Sequence, residues 1–308
     1  MVDLLLLGSG GGMPMPNRFL SATLLSYMGR KILIDCGEGT QVSMRISNAG
    51  FKSIDVICIT HIHGDHIVGL PGLLGTIGNS GRTEPLTIVG PEGITDTVNK
   101  LRLIANWLPY EINIIENPQG PFEINCEGVS WDTQISTLEL DHSAPCIGYC
   151  FYFKRQRKFN VEKAMKYNVP KILWGRLQKG EKEIILDGIH YTNDMVMGDE
   201  RKGIKISLIT DTRPIESINK FIEGSDFFIC EGTYGADEDL PKAIKNKHMT
   251  FREAANLAQS GKVKSLLLTH FGTAMTEPEN FLSNARDVFV NTIIGYDRYK
   301  TILNFQED

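Results

Sequence analysis

The chain has 308 residues, of which 42% are hydrophobic and 22% charged, a composition that suits a soluble globular protein and excludes a disordered one. No apolar run approaches the roughly 18 residues that cross a bilayer, so no membrane partner is expected. The formal net charge of −5 excludes a protein coated in basic surface.

The six cysteines are scattered, and none forms a C-x-x-C pair. Most lie in apolar, strand-like runs. This pattern favours buried free thiols in a reducing cytoplasm over the alternative, a disulfide framework.

The predicted elements alternate in type along the chain. After an apolar first strand, β-branched runs predict strands at 31–35, 55–60, 86–89, 148–153, 204–209, 226–230 and 265–269. Helices are predicted at 95–107 and 250–260, the second with Thr250 and Glu253 as a capping box. Strands with interspersed helices predict an α/β fold in which two packed sheets are covered by helices.

The alternation of strands and helices is interrupted at residues 154–202, directly after the predicted strand 148–153. We interpret these residues as an insertion that protrudes from one domain spanning 1–308. The 29 residues from Lys154 to Lys182 carry ten basic and two acidic side chains, a net charge of +8. The rest of the chain then carries −13. Such asymmetry can steer a polyanion to this segment.

Three of the seven histidines fall within His61-Ile-His-Gly-Asp-His66, directly after the predicted strand 55–60. A strand ending in such a loop can present several ligands to one metal pocket. Imidazole and carboxylate are ligands of zinc, and manganese or iron suit the same set. A short loop does not close a full coordination shell, so further ligands must come from other strand ends.

Three other predicted strand ends offer such ligands: His142 follows 138–141, Asp211 follows 206–210 and His270 follows 266–269. A single histidine after a strand is more often a surface or core residue. Three such positions together with the 61–66 loop reverse that preference and predict a metal site.

This ordered set resembles the metallo-β-lactamase superfamily and, within it, the short bacterial form of ribonuclease Z, a family of tRNA 3′-processing endonucleases. The resemblance rests on the H-x-H-x-D-H loop, the distal ligands and the segment Asp35-Cys-Gly-Glu-Gly-Thr-Gln41, and it runs over essentially the whole chain. The loop alone is shared with thioesterases and lactonases. The resemblance implies the αββα sandwich of two mixed sheets flanked by helices, with residues 154–202 as a substrate-binding arm.

The resemblance also implies two zinc ions per chain, with manganese as a substitute. His61, His63 and His142 are expected to hold one ion, and Asp65, His66 and His270 the other. Asp211 is expected to bridge both ions.

Catalytic roles are implied for three residues. Asp65 is expected to orient the attacking water and act as general base, a role compatible with the alternative of a pure metal ligand. His248 is expected to protonate the departing 3′-oxygen, and Glu231 to hold its ring and raise its pKa. From position alone, a histidine at a helix start is more often structural.

The turn Gly8–Gly12 fits no phosphate-binding motif and is interpreted as a tight turn, with a place beside the active site left open.

The expected substrate is precursor tRNA, cut to leave a 3′-hydroxyl on the tRNA and a 5′-phosphate on the trailer. The resemblance further implies a homodimer, a cytoplasmic location is expected from the free cysteines, and no DNA substrate is expected. The family's P-x-K-x-R-N loop reads here as Pro14-Met-Pro-Asn-Arg-Phe19, which leaves open where the cut falls relative to the CCA end.

Two alternatives remain. A hydrolase of small phosphodiesters, thioesters or lactones would share the zinc site but would not need a basic arm. A non-catalytic RNA-binding relative would be expected to lack ligands, whereas all seven are present in this chain.

Overall fold

The computed structural model describes residues 1–123 and 133–306. They form two compact units. The main unit comprises Met1–Phe153 and Ile204–Asn304, and the inserted unit comprises Lys154–Gly203 with the residues that follow Asn304.

The first sheet of the main unit has seven strands in the order β16-β1-β2-β3-β4-β5-β6. The strands from β16 to β3 pair antiparallel, and those from β3 to β6 pair parallel. Strand β4 is buried along its whole length, which explains its nearly continuous apolar sequence. The bounds are β1 Val2–Gly8, β2 Ala22–Tyr27, β3 Arg30–Ile34, β4 Ile54–Cys58, β5 Leu86–Gly90, β6 Ile112–Glu116 and β16 Tyr299–Leu303.

The second sheet also has seven strands, in the order β15-β14-β13-β12-β9-β8-β7. Strands β12 to β15 are parallel, and β7 to β9 are antiparallel. The bounds are β7 Phe122–Glu123, β8 Thr133–Glu139, β9 Ile147–Arg155, β12 Arg201–Ile209, β13 Phe227–Glu231, β14 Leu266–Thr269 and β15 Thr292–Ile294. Because parallel strands end at the same edge of a sheet, the loops after β12, β13 and β14 meet there.

Helices cover both sheets, and each sheet has its own hydrophobic cluster. Leu73 of α3 belongs to the cluster of the first sheet, and Phe251 of α9 to that of the second. The two sheets are joined near the predicted metal loop, where Ile147 N–H donates to Thr60 O at 2.9 Å. The helices of the main unit are α1 Thr40–Ile46, α2 Gly64–Ile67, α3 Leu70–Asn79, α4 Ile94–Leu101, α7 Glu216–Ile222, α8 Leu240–Asn246, α9 Phe251–Ser260 and α10 Leu282–Arg286.

The inserted unit has its own small core. It contains helices α5 Val161–Lys166 and α6 Lys171–Gln178 and an antiparallel hairpin of β10 Glu183–Leu186 and β11 Ile189–Thr192. Leu173 and Leu177 of α6 and Tyr191 of the hairpin are buried in one hydrophobic cluster. The rings of Phe159 and Trp174 pack together with centroids 5.1 Å apart, so these two aromatics contribute to the core of the unit.

The predicted sandwich of two mixed sheets flanked by helices is confirmed. The predicted helix at 95–107 is too long, because the helix ends at Leu101 and tighter turns follow. Leu103, Ile104 and Trp107 lie beyond this end and are 73–83% exposed. Their apolar side chains therefore contribute no burial that would stabilise a longer helix. The predicted capping box of α9 is present.

Cys36, Cys58, Cys146, Cys150 and Cys230 are buried and free, as predicted, and Cys126 lies outside the described residues. Among residues 1–123 and 133–306, no helix combines the length and apolar character that a membrane span requires.

Candidate metal centre

The seven predicted ligands all lie at one end of the two sheets. His61 and His63 follow strand β4, and Asp65 and His66 lie on the short helix α2. His142 follows β8, Asp211 follows β12 and His270 follows β14. The structure therefore brings together side chains that are up to 209 positions apart in the sequence.

The ligand atoms form two groups. In the first, Nδ1 of His63 lies 3.0 Å from Nε2 of His61 and 3.2 Å from Nε2 of His142. In the second, Nε2 of His66 lies 3.1 Å from Nε2 of His270, and Oδ2 of Asp65 lies 3.4–3.5 Å from both. Each group of three has ligand atoms close enough to hold one metal ion.

Asp211 lies between the two groups and directs one carboxylate oxygen at each. Its Oδ2 is 3.6 Å from Nε2 of His61, and its Oδ1 is 3.2 Å from Nε2 of His270. Burial disfavours the charge, but His270 and His66 hold the pKa of Asp211 well below its usual range. A buried carboxylate that remains ionised and faces both groups suits a bridging ligand.

The hydrogen bonds that the Nδ1 atoms make assign the tautomers of four histidines. The Nδ1–H groups of these histidines donate to Thr60 Oγ1, Asp35 Oδ2, Lys247 O and Thr233 Oγ1, at 2.7–3.2 Å (His61, His66, His142 and His270). In each of these rings Nε2 is then the nitrogen that faces the site. Such outer partners fix ring orientation and ligand basicity in metal sites, so the residues present fit a pair of divalent cations.

Burial, together with the neighbouring His66, lowers the pKa of His61 to about 2. His61 is completely buried and therefore stays neutral, with its lone pair available as a ligand. A histidine must be deprotonated at the nitrogen that binds a metal ion, so the neutral ring of His61 suits a metal ligand.

Three residues of the site lie in the left-handed region of backbone conformation, although none is glycine. They are Asp35, Asp211 and His270, with φ of 59°, 49° and 58°. Asp35 and His270 directly follow β3 and β14, and Asp211 lies two residues after the end of β12. Non-glycine residues adopt this conformation at a cost, and such strain is concentrated at functional sites.

Asp35 is an outer partner to which the sequence assigned no role. Its carboxylate accepts hydrogen bonds from the Thr60 N–H at 2.8 Å and from the His66 Nδ1–H at 2.7 Å. Asp35 is 3% exposed, so the His66 ring is held by a buried carboxyl group.

Asp65 uses one carboxylate oxygen for its protein contacts. Oδ2 faces His66 and His270 and also accepts a 2.6 Å hydrogen bond from the Gly12 N–H. Burial opposes ionisation, but hydrogen bonds from the two histidines hold the pKa of Asp65 well below its usual range. Within the described part of the chain, Oδ1 has no hydrogen-bond partner, which leaves it available to a substrate or water.

His248 and Glu231 form a pair beside the second group. Nδ1 of His248 is 3.2 Å from Oε2 of Glu231, which is the last residue of β13 and completely buried. The same carboxylate accepts from the Thr212 N–H at 2.7 Å and the Met249 N–H at 3.0 Å. Burial lowers the pKa of His248, but the Glu231 carboxylate outweighs it and raises that pKa to about 9.

The position of His248 is fixed by the elements on either side of it. Lys247 ends α8 in a left-handed conformation, with φ of 56°, and Thr250 caps α9. Arg213 donates to the carbonyl oxygen of His248 and pairs with Glu253 of the capping box. The ring is thus presented by two helix ends that meet.

The site opens into a cavity of about 440 Å³. Its walls include Asp65, His248, Tyr234 and the turn Gly11–Met13, so the glycine-rich turn does lie beside the site. His190 lies in the inserted unit, outside the metal centre, and pairs there with Glu183 at 2.6 Å.

Sequence reasoning missed the contributions of Gly12, Asp35 and Thr233. Thr233 donates to Glu231 at 2.6 Å and accepts from the His270 Nδ1–H at 3.1 Å, so it joins a ligand to the His248–Glu231 pair. One sequence signal for Thr233 was available: it lies two residues after Glu231, just past the end of β13.

The chain is similar to known proteins over its full length. It is 76% identical over 308 residues to ribonuclease Z of Clostridium beijerinckii, with 100% of each chain covered. A family model described as the anti-Pycsar protein Apyc1 matches residues 2–102.

Two solved structures share the fold. Human tRNase Z, short form, is 24% identical with a TM-score of 0.67, covering 99% of this chain and 100% of that chain. The metallo-β-lactamase fold protein YhfI from Bacillus subtilis is 19% identical with a TM-score of 0.69, covering 97% of this chain and 98% of that chain. The architecture is therefore that of the metallo-β-lactamase fold.

Proposed function

This chain belongs to the ribonuclease Z family, and from that membership we propose how its two ligand groups and the His248–Glu231 pair perform the reaction of the family. The protein is a metal-dependent endoribonuclease of tRNA 3′ processing. The observation that carries the proposal is Asp211, with one carboxylate oxygen directed at each ligand group.

We propose that the site holds two zinc ions, with manganese as a substitute. His61, His63 and His142 would hold one ion, Asp65, His66 and His270 the other, and Asp211 would bridge them. Two divalent cations at such a site supply Lewis acidity toward phosphate oxygens and lower the pKa of water. The convergence of two groups of three ligand atoms on either side of Asp211 supports this assignment.

Asp65 orients the attacking water through Oδ1 and accepts its proton, since Oδ2 is engaged by the Gly12 N–H and two histidines. The water then attacks the phosphorus in line with the departing 3′-oxygen. On the other side, His248 uses Nδ1 to contact Glu231, so Nε2 is the nitrogen that donates a proton to that 3′-oxygen. The products are a 3′-hydroxyl on the tRNA and a 5′-phosphate on the trailer.

Residues 154–202 are the proposed substrate-binding arm. They fold around their own hydrophobic core and carry the stretch with a net charge of +8. Neutralisation of RNA phosphates by such a segment releases counterions, which makes binding strongly dependent on salt. A hydrolase of small molecules has no use for this charge.

The experiment is cleavage of a precursor tRNA with a 3′ trailer by protein stripped with a chelator and reloaded with zinc or manganese. We expect cleavage with either metal, a metal content of two ions per chain, and the end groups stated above. Failure to cleave with both metals would sink the proposal. The proposed homodimer, carried over from the family resemblance, is tested by sedimentation of the same preparation, and the proposed cytoplasmic location by cell fractionation.

A further inference from the structure

Tyr234 contributes an aromatic ring to the wall of the catalytic cavity. Besides the histidines, it is the one aromatic side chain among the cavity-lining residues in the described part of the chain. The ring is partly exposed, and the mechanism proposed above gives it no role.

The ring is fixed at both ends. The Tyr234 N–H donates to Met249 O at 3.2 Å, and its carbonyl oxygen accepts from the Phe251 N–H at 2.9 Å. At the far end, the phenol oxygen accepts a 2.6 Å hydrogen bond from Asn246 Nδ2. A ring held in this way loses little further freedom when a ligand packs on it.

The ring lies beside the group that protonates the leaving oxygen. The centroids of Tyr234 and His248 are 6.5 Å apart, with the ring planes at 60°. The backbone holds the two residues near each other, because Tyr234 forms a β-bridge with Thr250, which lies two residues after His248. A nucleobase is separated from its own 3′-oxygen by one ribose, so the base of a nucleotide whose 3′-oxygen meets His248 is within reach of a ring 6.5 Å from that histidine.

We propose that Tyr234 is a stacking platform for the unpaired nucleobase on the 5′ side of the scissile phosphate, the nucleotide whose 3′-oxygen leaves. The inference rests on the proposed function. Its ligand class is any nucleobase, because every base has a π-face and stacking tolerates sequence. The subsite thereby positions the last nucleotide that the tRNA retains.

A double-mutant cycle between enzyme and substrate tests the subsite. Tyr234→Ala and the wild type are compared on two precursors, one with a normal base and one with an abasic ribose 5′ of the cut. We expect Tyr234→Ala to lower kcat/KM about tenfold on the normal precursor, the scale of one base stacked on an aromatic side chain. On the abasic precursor the two enzymes should be equal, because the partner of the ring is already absent.

Tyr234→Phe separates stacking from the hydrogen bond to Asn246. It keeps the ring, and we expect nearly wild-type activity with the same preference for the base. Tyr296→Ala removes another exposed tyrosine of the main unit, 59% exposed and outside the residues that line the cavity, and should leave both precursors unaffected.

Equal losses on the normal and abasic precursors in Tyr234→Ala would overturn the inference and make the ring a structural support of the His248 segment. Loss of the base preference in Tyr234→Phe would overturn it as well, since the phenol and not the ring would then carry the effect. Failure of the wild type to cleave the normal precursor would instead contradict the proposed function, so the two failures are distinguishable.

Discussion

The backbone N–H of Gly12 donates a 2.6 Å hydrogen bond to Oδ2 of Asp65. The turn after the first strand therefore positions the carboxylate to which we assign the role of general base. Its neighbour Gly11 lies so close to His270 that an added Cβ would sit 2.4 Å from Cε1 of that ring. The glycines allow the backbone to approach two ligands at once.

Gly11→Ala is expected to displace the His270 ring or the turn itself. Misplacement of a catalytic group by about 1 Å costs roughly a hundredfold in rate, so kcat on precursor tRNA should fall by about that factor. Bound metal is measured in the same samples. The matched control is Gly75→Ala in helix α3, where an added Cβ meets no atom within 4 Å, and it should be neutral or slightly stabilising. Equal kcat values for the two variants would contradict the argument.

Asp297 ties this turn to the loop that follows it. Its carboxylate accepts from the Ser9 N–H at 2.9 Å and the Ser9 hydroxyl at 2.8 Å, and its other oxygen accepts from the Phe19 N–H at 2.6 Å. Asp297→Asn places an NH₂ group against one of these donors. We expect the free energy of unfolding to fall by about 1–3 kcal/mol and kcat to fall beyond any loss of folded protein.

The control for Asp297→Asn is Asp226→Asn. Asp226 precedes β13, at the end of the strand opposite Glu231, and accepts from the Lys205 N–H at 2.8 Å and from Lys264 Nζ at 2.7 Å. Its loss should lower stability without lowering the kcat of the folded enzyme. A parallel fall of stability and kcat in both variants would mean that Asp297 acts on the fold alone.

Much of the site was predictable because its ligands follow strands with clear sequence patterns. His142, Asp211 and His270 each follow a predicted strand. Asp211 and His270 come after the parallel strands β12 and β14, whose ends meet at one edge of the sheet, and His142 comes after the antiparallel strand β8. The contacts of Gly12 and Asp35 depend on packing between segments that are distant in the sequence, and no local pattern reports them. The predicted helix at 95–107 was too long because the sequence does not reveal that Trp107 remains exposed.

Asp35→Asn tests the partner of His66. An asparagine has one acceptor oxygen and an NH₂ group in place of two acceptor oxygens, so the hydrogen bonds from the His66 Nδ1–H and from the Thr60 N–H can no longer both be made. Loss of such a partner usually costs about 10- to 100-fold in metal affinity, and we expect a zinc affinity lowered by that factor. Competition with a chelator of known affinity measures it. An unchanged affinity would assign Asp35 a purely structural role.

Glu231→Gln tests the proton donor. The carboxylate raises the pKa of His248 to about 9, which keeps the ring protonated as the pH rises through neutrality. Activity that requires protonated His248 is therefore lost as the pH rises through that pKa, and the neutral amide moves the loss to lower pH. Bound metal ions shift the pKa of His248 in the same direction in the wild type and in Glu231→Gln. The measurement is therefore the difference between the two proteins in the pH at which kcat falls on the alkaline side. Coincident limbs would argue against His248 as the acid.

The proposed arm is best tested by charge and not by deletion, because strands β9 and β12 of the main unit extend into residues 154–155 and 201–203. Lys166, Lys179 and Lys182 are exposed and lie in the basic stretch. Their joint change to glutamine should weaken precursor binding and flatten its salt dependence, since each lost phosphate contact removes roughly 0.7–0.9 from the slope of log K against log salt. Hydrolysis of a small chromogenic phosphodiester should be unchanged.

The control carries the same change in charge on the main unit, at the exposed residues Lys52, Lys220 and Lys300. If the effect came only from net charge, both triple variants would weaken binding equally. Binding affinity at several salt concentrations separates the two cases, because a local contact changes the slope and a general field changes mainly the low-salt affinity. Equal slopes of log K against log salt in the two triple variants would mean that the arm does not bind the substrate. That result would favour a hydrolase that recognises only the phosphodiester at its metal centre.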